Sequence, residues 1–124
     1  MTKVLLIEDN EMNRDMLGRR LVRSGFEVCT AADGLSGITA AKREHPNVIL
    51  MDIGLGLGEM DGWEAARQIK ADVATAAIPI IALTAHATTE DRARSFEAGC
   101  EAFDTKPVDF DRLLSKISDV LVKA

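Results

Sequence analysis

Short apolar runs punctuate the chain at Val4 to Ile7, Phe26 to Ala31, Val48 to Met51 and Ile78 to Leu83, with a weaker fifth at Glu101 to Thr105. Brief runs of this kind, bounded by turn-forming residues, suit buried strands. Between them, apolar positions recur at helical spacing. Met12, Met16, Leu17 and Leu21 share one face, as do Leu35, Ile38 and Ala41 or Lys42, and the last stretch aligns Phe110, Leu113, Leu114, Ile117, Val120 and Leu121. Strand and helix alternate five times, which predicts an α/β fold with a five-stranded parallel sheet and helices on both faces. The first and third runs are continuously apolar and read as central strands, whereas the fifth carries Glu101 and Asp104 and reads as an edge. Gly25, Gly34, Gly62 and Gly99 fall at expected turns or helix ends, and Pro46, Pro79 and Pro107 flank strands.

A chain of 124 residues with 47% hydrophobic and 28% charged positions suits one core, so residues 1–124 read as a single domain without repeat or linker. The net charge of -5, with basic residues scattered among acids, argues against direct nucleic-acid binding. Apolar runs such as Val48 to Met51 are too short to cross a bilayer, and Met1-Thr2-Lys3 leads into a strand without a signal-peptide pattern. These features predict a cytoplasmic protein with no membrane association. Cys29 and Cys100 are widely separated and read as reduced, buried thiols. The chain ends soon after its fifth helix, which predicts that any output passes through a binding surface.

The chemistry gathers where the strands end. In open parallel sheets, ligands bind outside the C-terminal ends of the strands at a topological switch point. Strand one closes with Glu8-Asp9, strand three with Asp52, strand four with Thr84 and strand five with Lys106. Singly, each residue has an ordinary structural use: Asp9 or Asn10 as a helix cap, Thr84 bonded to nearby backbone, Lys106 as a solvated lysine. Together they would crowd three carboxylates, and two unit charges about 5 Å apart repel by roughly 3 kcal/mol at an effective dielectric near 20. Oxygen donors without His or Cys suit Mg²⁺ or Mn²⁺ rather than zinc. An aspartate ionised at neutral pH could attack phosphorus directly, with Thr84 and Lys106 meeting the equatorial oxygens.

Several ordered segments resemble the response-regulator receiver family, the phosphoacceptor modules of two-component signalling. They are Ile7-Glu8-Asp9-Asn10, Leu50-Met51-Asp52, Met60-Asp61-Gly62, Leu83-Thr84-Ala85 and Phe103-Asp104-Thr105-Lys106-Pro107. The resemblance implies a doubly wound, flavodoxin-like or CheY-like fold of strand order 2-1-3-4-5. It implies that Asp52 accepts a phosphoryl group from a phosphohistidine kinase or histidine phosphotransferase. It further implies that Glu8, Asp9, Asp52 and the carbonyl of Gly54 serve Mg²⁺ or Mn²⁺, and that Thr84 and Lys106 contact the phosphoryl group. Phe103 would be the switch aromatic, the Lys106–Pro107 peptide would be cis, and a downstream protein would dock on the fourth helix, fifth strand and fifth helix. The resemblance also implies that Gly54 and His86 occupy positions whose side chains can hinder or guide the water that hydrolyses the phosphoaspartate.

The chain also departs from the family pattern. Glu8 stands where Asp is more usual, and Ile53 to Met60 is about two residues longer and rich in glycine. Gly54 and Gly56 lack the third glycine of a dinucleotide loop. A haloacid-dehalogenase-type phosphatase would need a second aspartate where Gly54 stands, and a flavodoxin-like cofactor site would not place Glu8-Asp9-Asn10-Glu11 against a phosphate. A receiver-shaped interaction module that is never phosphorylated would have no use for the intact cluster.

Overall fold

The computed structural model describes residues 1–55, 60–86 and 88–123. Strands β1 (Lys3–Ile7), β2 (Glu27–Ala31), β3 (Val48–Asp52), β4 (Ile80–Thr84) and β5 (Ala102–Thr105) alternate with helices α1 (Glu11–Arg23), α2 (Gly34–Glu44), α3 (Gly62–Ala71), α4 (Thr89–Glu97) and α5 (Phe110–Lys123). All strand pairs are parallel, in the order β2-β1-β3-β4-β5, so the chain reverses direction of travel at β1 and β3. The fifth strand is an edge, as its mixed composition predicts.

Alternation along the strands sorts the core into two layers. Leu5, Ile7, Ile49, Met51, Ile80 and Ala82 face α2 and α3 through Ile38, Ala41, Ala65, Ala66 and Ile69. Val4, Leu6, Val48, Leu50, Ile81 and Leu83 face α1 and α5 through Leu17, Leu21, Leu113, Ile117 and Val120. Burying a Leu or Ile side chain is worth about 1.5–3 kcal/mol, so these twin layers supply most of the drive for sheet closure. The α5 stripe lies as its periodicity predicts. Helix starts follow from local polar chemistry: side chains of Asn10, Asp33, Asp61 and Thr88 accept hydrogen bonds from the backbone N–H groups of Asn13, Ser36, Glu64 and Asp91.

Two predicted helix faces need correction. Met12 and Met16 are 77% and 56% exposed, because the first turns of α1 start at the C-terminal rim of the sheet and only Leu17 and Leu21 reach its apolar rows. Leu35 is likewise exposed and Lys42 points to solvent, while α2 packs through Gly34, Gly37, Ile38, Ala40 and Ala41. A Cβ on Gly37 would lie 2.5 Å from Ile7 Cδ1, so close helix–sheet approach, rather than a large side chain, makes this contact. The thiols are free, Cys100 buried and Cys29 half-buried; burial pushes Cys100 up to about 12 and raises Cys29. No helix among the described residues is long and apolar enough to cross a membrane.

Gly62 opens α3 directly against β3: a Cβ there would fall 2.5 Å from the Asp52 carbonyl oxygen and 2.7 Å from Ile53 Cα. Gly18, inside α1, has nothing within 4 Å of the same position. Chemical denaturation should therefore separate the two substitutions. Gly18→Ala is expected to stabilise by about 0.5–1 kcal/mol through helix propensity, and Gly62→Ala to destabilise by about 1–3 kcal/mol through overpacking.

Candidate functional site

Each strand-end residue reaches the site through a backbone contact. The amide of Glu8 donates to the Ala31 carbonyl at 3.0 Å, extending the β1–β2 ladder by one residue and turning the acidic pair onto the rim. Arg14 of α1 donates to the Glu8 carbonyl at 3.0 Å and fastens that turn to the helix that follows it. Ile53 N–H donates to the Leu83 carbonyl at 2.9 Å, and Lys106 N–H to the Thr84 carbonyl at 2.7 Å. The Lys106–Pro107 peptide is cis, as expected.

The side chains then meet. Lys106 Nζ lies 2.7 Å from Glu8 Oε1 and 3.2 Å from Asp52 Oδ1. Glu8 and Asp52 are 3% and 5% exposed, so this ion pair is buried on the acid side. Gly54 N–H donates to Asp52 Oδ1 at 3.0 Å, and Asn10 N–H donates to Glu8 Oε2 at 3.3 Å. Oxygens of Glu8, Asp9 and Asp52 lie within 4.8 Å of one another. One ammonium and three carboxylates give the cluster a formal net charge of two negatives when all are ionised. A hard divalent cation matches both that charge and the all-oxygen donor set, so the residues present fit Mg²⁺ or Mn²⁺.

A cavity of about 450 Å³ opens onto this cluster, lined in part by Asp52, Gly54, Trp63, Thr84, His86 and Lys106. Thr84 Oγ1 sits in the turn beyond β4, accepting from His86 N–H at 3.1 Å and lying 3.3 Å from the His86 carbonyl. Thr84 and Phe103 share a sheet face: Phe103 pairs with Ala82 and Thr105 with Thr84, and alternate residues point the same way. The Phe103 ring is already packed in the α2–α3 layer, 9% exposed. Asp104 turns to the other side, where its Oδ1 takes Arg112 Nε at 2.8 Å and Thr105 N–H at 2.8 Å, joining β5 to α5.

Burial changes one expectation. The Asp52 carboxyl is pushed up to about 7, first by desolvation and then by its hydrogen bond with Glu8 and that group's charge; Lys106 and the Gly54 amide act in the opposite sense without cancelling it. Unaided, Asp52 is therefore not fully ionised at neutral pH. Burial also works against the Lys106 ammonium, but its bond to Glu8 and the charges of Asp52 and Glu8 outweigh that cost and hold its pKa above the ordinary value. All the strand-end residues singled out from the sequence are brought together. Arg14 and Trp63 were not singled out; the sequence signal for Trp63 is its place directly after Asp61-Gly62 as the chain's single tryptophan. Of the predicted glycine-rich segment, residues 56–59 lie outside the described residues.

The response regulator receiver domain family matches residues 4–118. The chain belongs to the response-regulator receiver family. It is 38% identical to the polar-differentiation response regulator DivK of Brucella ovis, over 98% of each chain. It superposes with a TM-score of 0.88 and 33% identity on the receiver domain of a sensor histidine kinase from Pseudomonas aeruginosa, covering 97% of each, a structure with magnesium coordinated in its active-site cleft. Against the chemotaxis protein CheY4 of Vibrio cholerae the TM-score is 0.89 at 28% identity, over 97% of this chain and 98% of that one. Phosphorelay signalling is the function of the family, and histidine kinases or phosphotransfer proteins are its partners. The receiver fold carries an acidic cleft suited to magnesium, here the Glu8–Asp9–Asp52 cluster.

The raised Asp52 pKa carries a stability consequence of definite sign. Between its ordinary value of 3.8 and about 7, the unfolded chain loses this proton while the folded chain keeps it. Stability therefore falls as pH rises through that window, by at most about 1.4 kcal/mol per pH unit, and levels off above it. In metal-free buffer, Asp52→Asn should melt higher than wild type at about pH 8, with the gap closing toward about pH 3, below the ordinary value of 3.8, where both states hold the proton. Melting curves across pH would show this as convergence at the acid end.

Proposed function

We propose that residues 1–124 act as one receiver domain in which Asp52 accepts the phosphoryl group of a kinase or phosphotransferase phosphohistidine, with Mg²⁺ or Mn²⁺ as helper. The observation that carries this reading is the Lys106 ammonium held between Glu8 and Asp52 at the strand ends. A carboxylate oxygen of Asp52 forms the new P–O bond as the P–N bond of the phosphohistidine breaks, and the electron pair leaves on the imidazole. The Gly54 amide and Lys106 fix the Asp52 carboxylate for attack. A divalent cation at Glu8, Asp9, Asp52 and the Gly54 carbonyl would supply charge neutralisation for the transferring oxygens and keep Asp52 ionised. The protein then acts as a phosphoacceptor that catalyses only its own phosphorylation and slow dephosphorylation, since Gly54 leaves no second carboxylate to turn over external esters.

Thr84 and Phe103 form the switch in this reading. The Thr84 hydroxyl leaves its bond with the His86 backbone for a phosphoryl oxygen, and the same-face position of Phe103 carries the change to the surface formed by α4, β5 and α5. Because the ring is already buried and carries no hydroxyl to desolvate, the two states differ little in energy on the Phe103 side. The downstream partner's docking face would lie around Arg92, Phe96 and Phe110, over the buried ring of Phe103. A cytoplasmic location is part of this reading, and no helix among the described residues is long and apolar enough to cross a membrane.

Intact-mass spectrometry after treatment with a small phosphodonor and Mg²⁺ tests the acceptor: a single added phosphoryl on wild type and none on Asp52→Asn are expected, and a full signal in the variant would remove Asp52 from the role. Titration calorimetry tests the cation site. Mg²⁺ should bind weakly to the free protein and more tightly with a phosphoryl mimic, because a phosphate oxygen completes the coordination. Asp9→Ala should abolish the heat of binding, with a smaller loss for Glu8→Ala.

A further inference from the structure

Helix α4 is thinly held. Its sequence from Thr89 to Glu97 is largely polar, Ser95 is its buried residue, and Phe96 leaves 44% of its surface to solvent. A buried serine within a helix is a poor choice for propensity alone, where alanine would serve better. Its partners explain it. Ser95 Oγ donates to the Asp91 carbonyl at 2.9 Å and accepts from Trp63 Nε1 at 3.0 Å. Arg94 places its guanidinium 4.0 Å from the centroid of the same indole. Two adjacent residues of α4 thus grip one side chain of α3, by a hydrogen bond and by a cation–π contact.

Trp63 faces the phosphoacceptor side as well. It lines the cavity around Asp52 together with Thr84, His86 and Asp91. It follows Gly62, the residue pressed against the Asp52 and Ile53 backbone. The indole therefore joins the cavity wall around Asp52 to the second turn of α4 through Ser95.

We infer that Trp63 is a positioning residue that ties α4 to the rim of the phosphoacceptor site and holds it in the arrangement where Thr84 is bonded to the His86 backbone. This rests on the reading of Asp52 as acceptor. A phosphoryl group that recruits Thr84 pulls on the chain leading into α4, and the Trp63–Ser95 bond resists that movement. Removing a bond made only in the phosphate-free arrangement therefore strengthens binding at Asp52 by up to that bond's worth.

Beryllofluoride with Mg²⁺ serves as the phosphoryl probe, and ¹⁵N NMR titration gives its half-saturating concentration without depending on tryptophan emission. Trp63→Phe and Ser95→Ala should each lower that concentration about two- to tenfold, the range of one hydrogen bond's net worth. The double variant should match the singles, because both remove the same tie. Thermal melts of all variants establish that each is folded. Unchanged or weaker binding in both singles, or effects that multiply in the double variant, would overturn the inference while leaving Asp52 as acceptor. No saturable binding by the wild type would overturn the acceptor reading and this inference with it.

Discussion

One ammonium shared by two buried carboxylates organises this molecule. Lys106 sits between Glu8 and Asp52, and each acid is almost entirely removed from water. Buried acids close together raise the cost of ionisation, and a single lysine offsets only part of it. The protein therefore carries a site that is incompletely neutralised by its own residues. A hard divalent cation would meet that excess of negative charge, which is the basis of the chemistry proposed for this site. The surrounding fold exists to hold the three side chains in place: parallel strands that end at one rim, glycines that let α2 and α3 approach closely, and caps that start helices immediately beyond the strands.

Much of this was legible in the sequence. Strand-end chemistry can be read because a parallel sheet places the residue after each apolar run at the same edge, so Glu8, Asp9, Asp52, Thr84 and Lys106 could be gathered without coordinates. The α5 stripe was equally readable, because a helix packed along its whole length keeps its period. Periodicity misled at Met12, Met16 and Leu35, where large apolar residues flank the stripe but the contact belongs to Leu17 and Leu21 or to Gly37, Ala40 and Ala41. Counting hydrophobic residues does not register a close approach made by small ones. The Asp52 proton was also out of reach, since burial and the geometry of Glu8 decide it. The Trp63–Ser95 bond joins positions that share no sequence pattern.

The sheet separates two duties. Asp52 shares its strand parity with Val48 and Leu50, which face α1 and α5, whereas Thr84 and Phe103 point with Ala82 toward the opposite layer. Under the proposed function, a change at Asp52 would reach Thr84 and Phe103 at the strand ends, where the two faces meet. On the α5 side, Asp104 and Arg112 lock β5 to the last helix, while Phe103 packs the other face of the strand into the opposite layer.

The Lys106–Glu8 contact closes a loop between residues 98 positions apart. The acidic pair and the aspartate precede by a long stretch of chain the lysine that joins them, and that lysine comes to the rim only when β5 pairs with β4. Until Lys106 is in place, Glu8 and Asp52 lack the ammonium that draws them together, so the shape of the acidic cluster is a property of the folded sheet and not of any local segment.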